Sequence, residues 1–279
     1  MLKYRFITTI ILIPLVIIIL FLFPPIIFSL ITLIICTLAF WEWCQFLNFT
    51  SYLQRTCLII LFISVLIFIT FNVFFYKKSF NLFLIKGCIY LSLIWWINVI
   101  FLILFYPYSV KFWKNSYFLR IFFGLLTIIP FFSSMLLLRL FNYQENHLIG
   151  SWYLIYIMLI VWSIDSGSYI FGKLFGKYLL IPKVSPNKTW EGLIGGLITS
   201  IIIILLFNKY LFVNKISINF ITHILIIYFS IIGDLSESMF KRESGIKNSS
   251  NIIPGHGGIL DRIDSLTAVI SISAFFILL

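Results

Sequence analysis

The chain has 279 residues, 62% of them hydrophobic, 19% aromatic and only 10% charged, with a formal charge of +11. Soluble domains carry about 25% charged residues, and apolar runs of 18 or more mark lipid-buried segments, so a water-soluble globular fold is excluded. Disorder, collagen-like repeats and a disulfide scaffold are excluded as well, because apolar content is too high, Gly (14) and Pro (8) are too few and only four cysteines appear. Excess positive charge in such a chain records Lys and Arg on cytoplasmic loops and attraction to anionic lipid, so no nucleic-acid partner is expected.

The apolar runs predict an all-α, polytopic integral membrane protein with about nine transmembrane helices, each near the ~20 residues that cross the hydrocarbon layer. In chain order they are 6–23, 26–44, 56–75, 84–106, 118–140, 149–165, 191–208, 217–235 and 264–279. Pro24-Pro25 separates the first two, since proline cannot continue a helix interior. Lys3 and Arg5 precede the first run, but the first alanine is Ala39, so no small-residue cleavage site follows and the run is expected to stay as an anchor. Placing the N-terminus in the cytoplasm puts fourteen basic residues inside and six outside. Eight of the fourteen lie in two loops, so those loops carry the orientation. Pro130 and Ser133-Ser134 are expected to kink the fifth span and open a cavity toward lipid.

Seven of the nine acids fall in the windows 165–191 and 233–264. Burying ionisable groups near lipid is costly, so such concentration marks a site. Residues 1–148 therefore read as transmembrane scaffold and 149–279 as a catalytic region carrying both polar loops. In the first window Asp165 is expected at the end of a span, either as a cap and lysine partner or in the chemistry itself. Ser185, Asn187, Lys188 and Thr189, set by the turn at Pro186, form either an oxyanion cradle or a capped interfacial helix start.

In the second window, continuation of the eighth span as a helix would place Asp234, Ser238 and Lys241 on one face, with Arg242 beside them. Pro254-Gly255-His256-Gly257-Gly258 is a turn whose glycines can expose N–H groups to an anion. Asp261 and Asp264 stand one helical turn apart, a pair that repels unless a cation joins it, and carboxylate oxygen suits Mg²⁺.

The run Ser238-Met-Phe-Lys-Arg-Glu-Ser-Gly-Ile-Lys247, followed by Pro254-Gly-His-Gly-Gly-Ile-Leu-Asp-Arg-Ile-Asp264, closely resembles the signature of the phosphatidate cytidylyltransferase (CDP-diacylglycerol synthase) family. Asp165-Ser-Gly-Ser-Tyr169, Gly172-Lys-Leu-Phe-Gly-Lys177 and Ser185-Pro-Asn-Lys-Thr-Trp-Glu-Gly192 resemble its upstream motif. The chain departs from the pattern at Asn248, where the family usually has Asp after the lysine, and at Ser168, where a small Ala is common.

The resemblance implies CMP transfer from CTP to phosphatidate, giving CDP-diacylglycerol and pyrophosphate for phospholipid synthesis, with Mg²⁺ and room for a second cation. It implies Asp234 and Asp261 as metal ligands, with Asp264 a further or outer one. Lys241, Arg242, Lys247 and Arg262 would hold phosphates, His256 would contact a phosphate oxygen or protonate pyrophosphate, and Ser236, Ser238, Gly255, Gly257 and Gly258 would add hydrogen bonds. Ser185, Asn187, Lys188 and Asp165 would complete the substrate wall. A multi-pass protein of the cell (inner) membrane, with cytoplasmic motif loops and a homodimeric state, is also implied. The rival classes are a transporter, another CTP-using lipid enzyme and a family member inactivated at Asn248; charge at span ends and the lack of an internal repeat argue against the transporter.

Overall fold

The computed structural model of the protein describes residues 2–47, 51–75, 79–211, 220–253 and 257–278. Its elements are α1 (Leu2–Phe21), α2 (Pro25–Trp43), a 3₁₀ turn (Cys44–Leu47), α3 (Tyr52–Phe75), α4 (Ser79–Leu104), the single turn α5 (Val110–Trp113) and α6 (Tyr117–Arg139). They continue with α7 (Ile149–Phe175), β1 (Leu179–Ile181), β2 (Ser185–Thr189), α8 (Trp190–Leu211), α9 (Phe220–Glu243) and α10 (Leu260–Leu278). The protein is an all-α integral membrane protein: among the described residues seven helices are long and apolar enough to span a bilayer.

Each of the nine expected runs coincides with a helix. The two that fall short as spans do so for visible reasons. The described apolar part of α1 is the shorter stretch Ile10–Phe21, and α10 carries Asp261, Arg262 and Asp264 within its first five residues. Pro25 takes the first position of α2, where its missing N–H costs nothing, and Pro24 before it is extended at φ −64°, ψ 154°. Ser116 caps α6 by accepting from the Leu119 N–H at 3.3 Å. In-membrane hydroxyls bond back to their own helices, as Thr32 does to the Phe28 carbonyl at 2.8 Å and Thr127 to that of Phe123 at 2.8 Å.

Helix α6 lies at the centre, packed on α2, α4, α7 and α10, so the N-terminal and C-terminal halves share one interior. Pro130 sits inside α6, which remains one helix from Tyr117 to Arg139. Apolar side chains such as Ile10, Ile34, Leu61 and Phe68 remain exposed on α1–α3, as suits faces turned to lipid.

Two local departures shape the site. Helix α7 does not stop at Asp165: it runs ten residues further, to Phe175, for a length of about 40 Å at 1.5 Å per residue. Asp165 is therefore a mid-helix residue. The stretch expected to be a loop before α8 forms an antiparallel hairpin, with Leu179 opposite Thr189 and Ile181 opposite Ser185. Most glycines of the first window serve packing: a side chain at Gly167 would meet Thr199, one at Gly195 would meet Phe171 and one at Gly196 would meet Ser168, so α7 and α8 approach closely because nothing intervenes.

Candidate active site

A cavity of about 900 Å³ opens where α7, the hairpin, α8, α9 and the start of α10 come together. Both polar windows feed it. Asp165 and Ser168 reach it from α7, Ser185, Asn187 and Lys188 from β2, Asp234 and Lys241 from α9, Lys247, Asn248 and Gly257 from the following segment, and Asp261, Arg262 and Asp264 from α10. Ile164, Leu180, Leu193, Ile231 and Ile253 supply an apolar wall.

The α9 helix continues to Glu243, so Asp234, Ser238 and Lys241 do share a face. Ser238 donates to Asp234 Oδ1 at 3.3 Å and does not line the cavity. Lys188 from the hairpin forms an ion pair with Asp234 Oδ2, and both side chains keep about a quarter to a third of their exposure (27% and 30%). Lys241 is more enclosed. It donates to Glu237 Oε2 at 3.0 Å and to Asp261 Oδ1 at 2.8 Å. Asp261 also accepts from the Gly258 N–H at 2.8 Å and the Ser249 N–H at 3.1 Å through Oδ2, so both of its oxygens are occupied by donors. Asp264 Oδ1 accepts from the Ser265 N–H at 2.7 Å. Gly233 lets α9 and α10 touch here, since a side chain would meet the Asp264 carbonyl at 2.7 Å and the Ser265 Cα at 2.9 Å. That contact sets Asp234 and Asp264 side by side.

Other expected residues are placed differently. Ser236 is buried and donates to the Gly233 carbonyl at 2.7 Å, away from the cavity, because it lies on the opposite side of α9 from the Asp234 face. Arg242 also stands outside the lining, 3.4 Å from the Val184 carbonyl. Gly258 is buried beside Ser249 and Glu42. Gly257 adopts φ +88°, a left-handed conformation that suits glycine. Gly255 and His256 lie outside the described residues. Thr189 is the cap of α8, accepting from the Gly192 N–H at 3.1 Å.

Sequence reasoning passed over Glu237 and Glu42. Glu237 is 3% exposed, and its Oε1 has no hydrogen-bond partner among the described residues. Its signal was its place at i−4 from Lys241. Glu42 lies in the N-terminal half, far in sequence from either window, and nothing local pointed to it. Another link ties the connection between α4 and α6 to the end of α9. Tyr106 donates to Glu243 Oε1 at 2.8 Å, and Lys114 pairs with Glu243 Oε2 at 2.9 Å. Burial and that carboxylate push the Tyr106 phenol up to about 12, so it stays a donor across the physiological range.

The donor chemistry fits a hard divalent cation. Asp165, Asp234 and Asp264 all line the one cavity. Among the described residues no group of three or more acidic, His or Cys side chains is placed to hold a metal ion by itself. Mg²⁺ does not require one, because it usually takes one or two carboxylates plus substrate phosphates and water.

Residues 3–279 match the model of the family described as "Cytidylyltransferase family". The chain is 40% identical over 291 aligned positions to the phosphatidate cytidylyltransferase of Haemophilus influenzae, covering 99% of this chain and 98% of that one. It is 36% identical to the enzyme of the same name from Pseudomonas aeruginosa, covering 98% and 96%. The Staphylococcus haemolyticus enzyme is 52% identical, but over 123 residues, or 43% of this chain and 47% of that one.

Proposed function

The chain belongs to the cytidylyltransferase family, and from that premise we propose that it transfers CMP from CTP to phosphatidate, giving CDP-diacylglycerol and pyrophosphate for phospholipid synthesis. One observation carries the reading: a single cavity at the polar end of the helices holds Asp165, Asp234, Asp261 and Asp264 against Lys188, Lys241, Lys247 and Arg262, beside an apolar wall. A lipid phosphate needs that combination, with its head among charges and its glycerol end against Ile164, Leu193 and Ile231.

In this reaction a phosphate oxygen of phosphatidate forms a bond to the α-phosphorus of CTP. The bond from that phosphorus to the α,β-bridging oxygen breaks, and its electron pair leaves with pyrophosphate. The attacking oxygen is ionised near neutrality, since a phosphate monoester has a second pKa of about 6, so no strong base is required. The obstacle is repulsion between anions, which fixed positive charge must offset. Lys247 and Arg262 face the cavity from two sides and suit that task. Lys188 is available for it once Asp234 is engaged by another cation.

Asp234 and Asp264 are the residues we propose to hold Mg²⁺, completed by substrate phosphates and water, with Asp165 on the same cavity wall as a further negative group. The family resemblance puts Asp261 with them as a metal ligand; here its oxygens receive Lys241 and two backbone N–H groups, which also fasten the start of α10 to α9. When bound, the cation would neutralise triphosphate charge and favour departure of pyrophosphate. The placement of His256 as a phosphate contact, a second cation, a homodimer and a cytoplasmic mouth in the inner membrane belong to the same proposal.

The test is CMP transfer by the purified protein in detergent, supplied with phosphatidate, labelled CTP and Mg²⁺. Labelled CDP-diacylglycerol that disappears with EDTA is expected. Well-folded protein that forms no such product, or forms it equally in EDTA, overturns the reaction or the metal respectively.

A further inference from the structure

Glu42 is a carboxylate 0% exposed inside a membrane protein, with no lysine or arginine paired to it among the described residues. Leaving a buried charge without strong partners is costly, so its hydrogen bonds show what it is for. Oε1 accepts from the Ser250 hydroxyl at 2.6 Å and the Ile259 N–H at 2.9 Å. Oε2 accepts from the Ser249 hydroxyl at 2.8 Å and the Leu260 N–H at 2.7 Å. Two of those donors are backbone N–H groups at the very start of α10, which lack partners within the helix and carry its positive dipole end. The other two lie at 249–250, on the far flank of the same connection. One side chain from α2 therefore clamps both ends of the segment that joins Lys247 to Asp261.

The element that presents Glu42 is itself held. Trp43 donates from Nε1 to the Arg120 carbonyl at 2.9 Å and packs on Phe240 of α9 with ring centroids 5.0 Å apart. Arg120 donates to the Phe46 carbonyl at 2.8 Å. Gly258 completes the fit, because a Cβ there would stand 2.5 Å from Glu42 Oε2 and collide with the Ser249 hydroxyl. Side chains intended for chemistry are placed accurately when such a rigid outer layer supports them.

We propose that Glu42 is a positioning residue of the transfer site: it fixes the first turn of α10, and through it Asp261 and Asp264, against α9. The inference rests on the proposed reaction for its kinetic readout but not for its structural one. The experiment compares wild type, Glu42→Gln and Ser250→Ala in detergent, measuring amide exchange at 257–264, binding of CTP with Mg²⁺, and kcat and KM against CTP, phosphatidate and Mg²⁺. Glutamine offers one acceptor oxygen where two are used, so at least one α10 N–H loses its partner. Expected for Glu42→Gln are faster exchange at Ile259 and Leu260, a kcat lowered tenfold or more, and a raised Mg²⁺ requirement with an unchanged KM for phosphatidate. Ser250→Ala should shift the same constants by a few fold.

Wild-type exchange at Ile259 and Leu260 in Glu42→Gln overturns the clamp. Faster exchange with kinetic constants within twofold of wild type overturns the positioning role. If Glu42→Gln does not fold, Ser250→Ala decides, and kinetics identical to wild type there overturn the proposal. A wild-type protein that makes no CDP-diacylglycerol defeats the proposed reaction alone, and Mg²⁺-dependent CTP binding then replaces turnover: weaker binding in Glu42→Gln supports the positioning role and unchanged binding overturns it.

Discussion

Glu42 and Asp234 lie at the same polar end of the helix bundle and are satisfied in opposite ways. Glu42 is fully enclosed and receives four hydrogen bonds from two serines and two backbone N–H groups. Asp234 is partly open to the cavity and is balanced by Lys188, a long side chain from a two-stranded hairpin. A carboxylate held by backbone donors cannot exchange them without moving the backbone. One held by an ammonium on a flexible stem can release it whenever a competing cation or phosphate arrives. The first arrangement builds a frame and the second leaves a charge ready for substrate.

That contrast can be broken most severely on the exchangeable side. Asp234→Asn or Asp264→Asn should lower CMP transfer by about 10² to 10³-fold, the scale seen when one preorganised charge-stabilising group is removed. Thermal unfolding should be nearly unchanged, and a parallel loss of fold would instead place these residues with Glu42.

Lys241 sits between the two types, with only 15% of its side chain exposed and two carboxylates upon it. Lys241→Met strands Glu237 and Asp261 and should destabilise the protein by about 3 kcal/mol, read as a lowered unfolding midpoint in detergent. A midpoint equal to wild type would mean that the pair contributes little to the frame.

Asn248→Asp adds a carboxylate to the cavity wall where the resembling family usually carries one. Because Asn248 is exposed at the rim, transfer at saturating Mg²⁺ should change by less than about threefold, with the effect confined to low Mg²⁺. The smallest effect belongs to Lys114→Ala. Its ion pair with Glu243 is half exposed at the lysine and should contribute under about 1 kcal/mol, leaving transfer rates unaltered.

Much of this organisation was legible along the chain. The nine apolar runs coincide with helices, and the two charged windows converge on one cavity because antiparallel helices with short connections return every second loop to the same end. The shared face of Asp234, Ser238 and Lys241 followed from helical periodicity once α9 was taken to continue past Gly233. Other features were hidden. The polar run after Asp165 resembles a loop that ends a span, yet α7 continues because α8 shelters its glycine-bearing face. Ser236 and Ser238 are two residues apart and face different ways, which a list of motif positions does not convey.

Composition and hydropathy alone determined that the chain lives in a bilayer, and local patterning determined where its helices run and which segments carry charge. Both are nearest-neighbour properties, set by transfer free energy and by repeat period. The tertiary structure alone decided that a glutamate at position 42 holds a helix that begins at position 260, and that Lys188 balances Asp234 while Lys241 balances Asp261. Those pairings depend on which helix ends meet in space, and hydrogen bonds and ion pairs act over a few ångströms whether their partners are 20 residues apart, as Lys241 and Asp261 are, or 218, as Glu42 and Leu260 are.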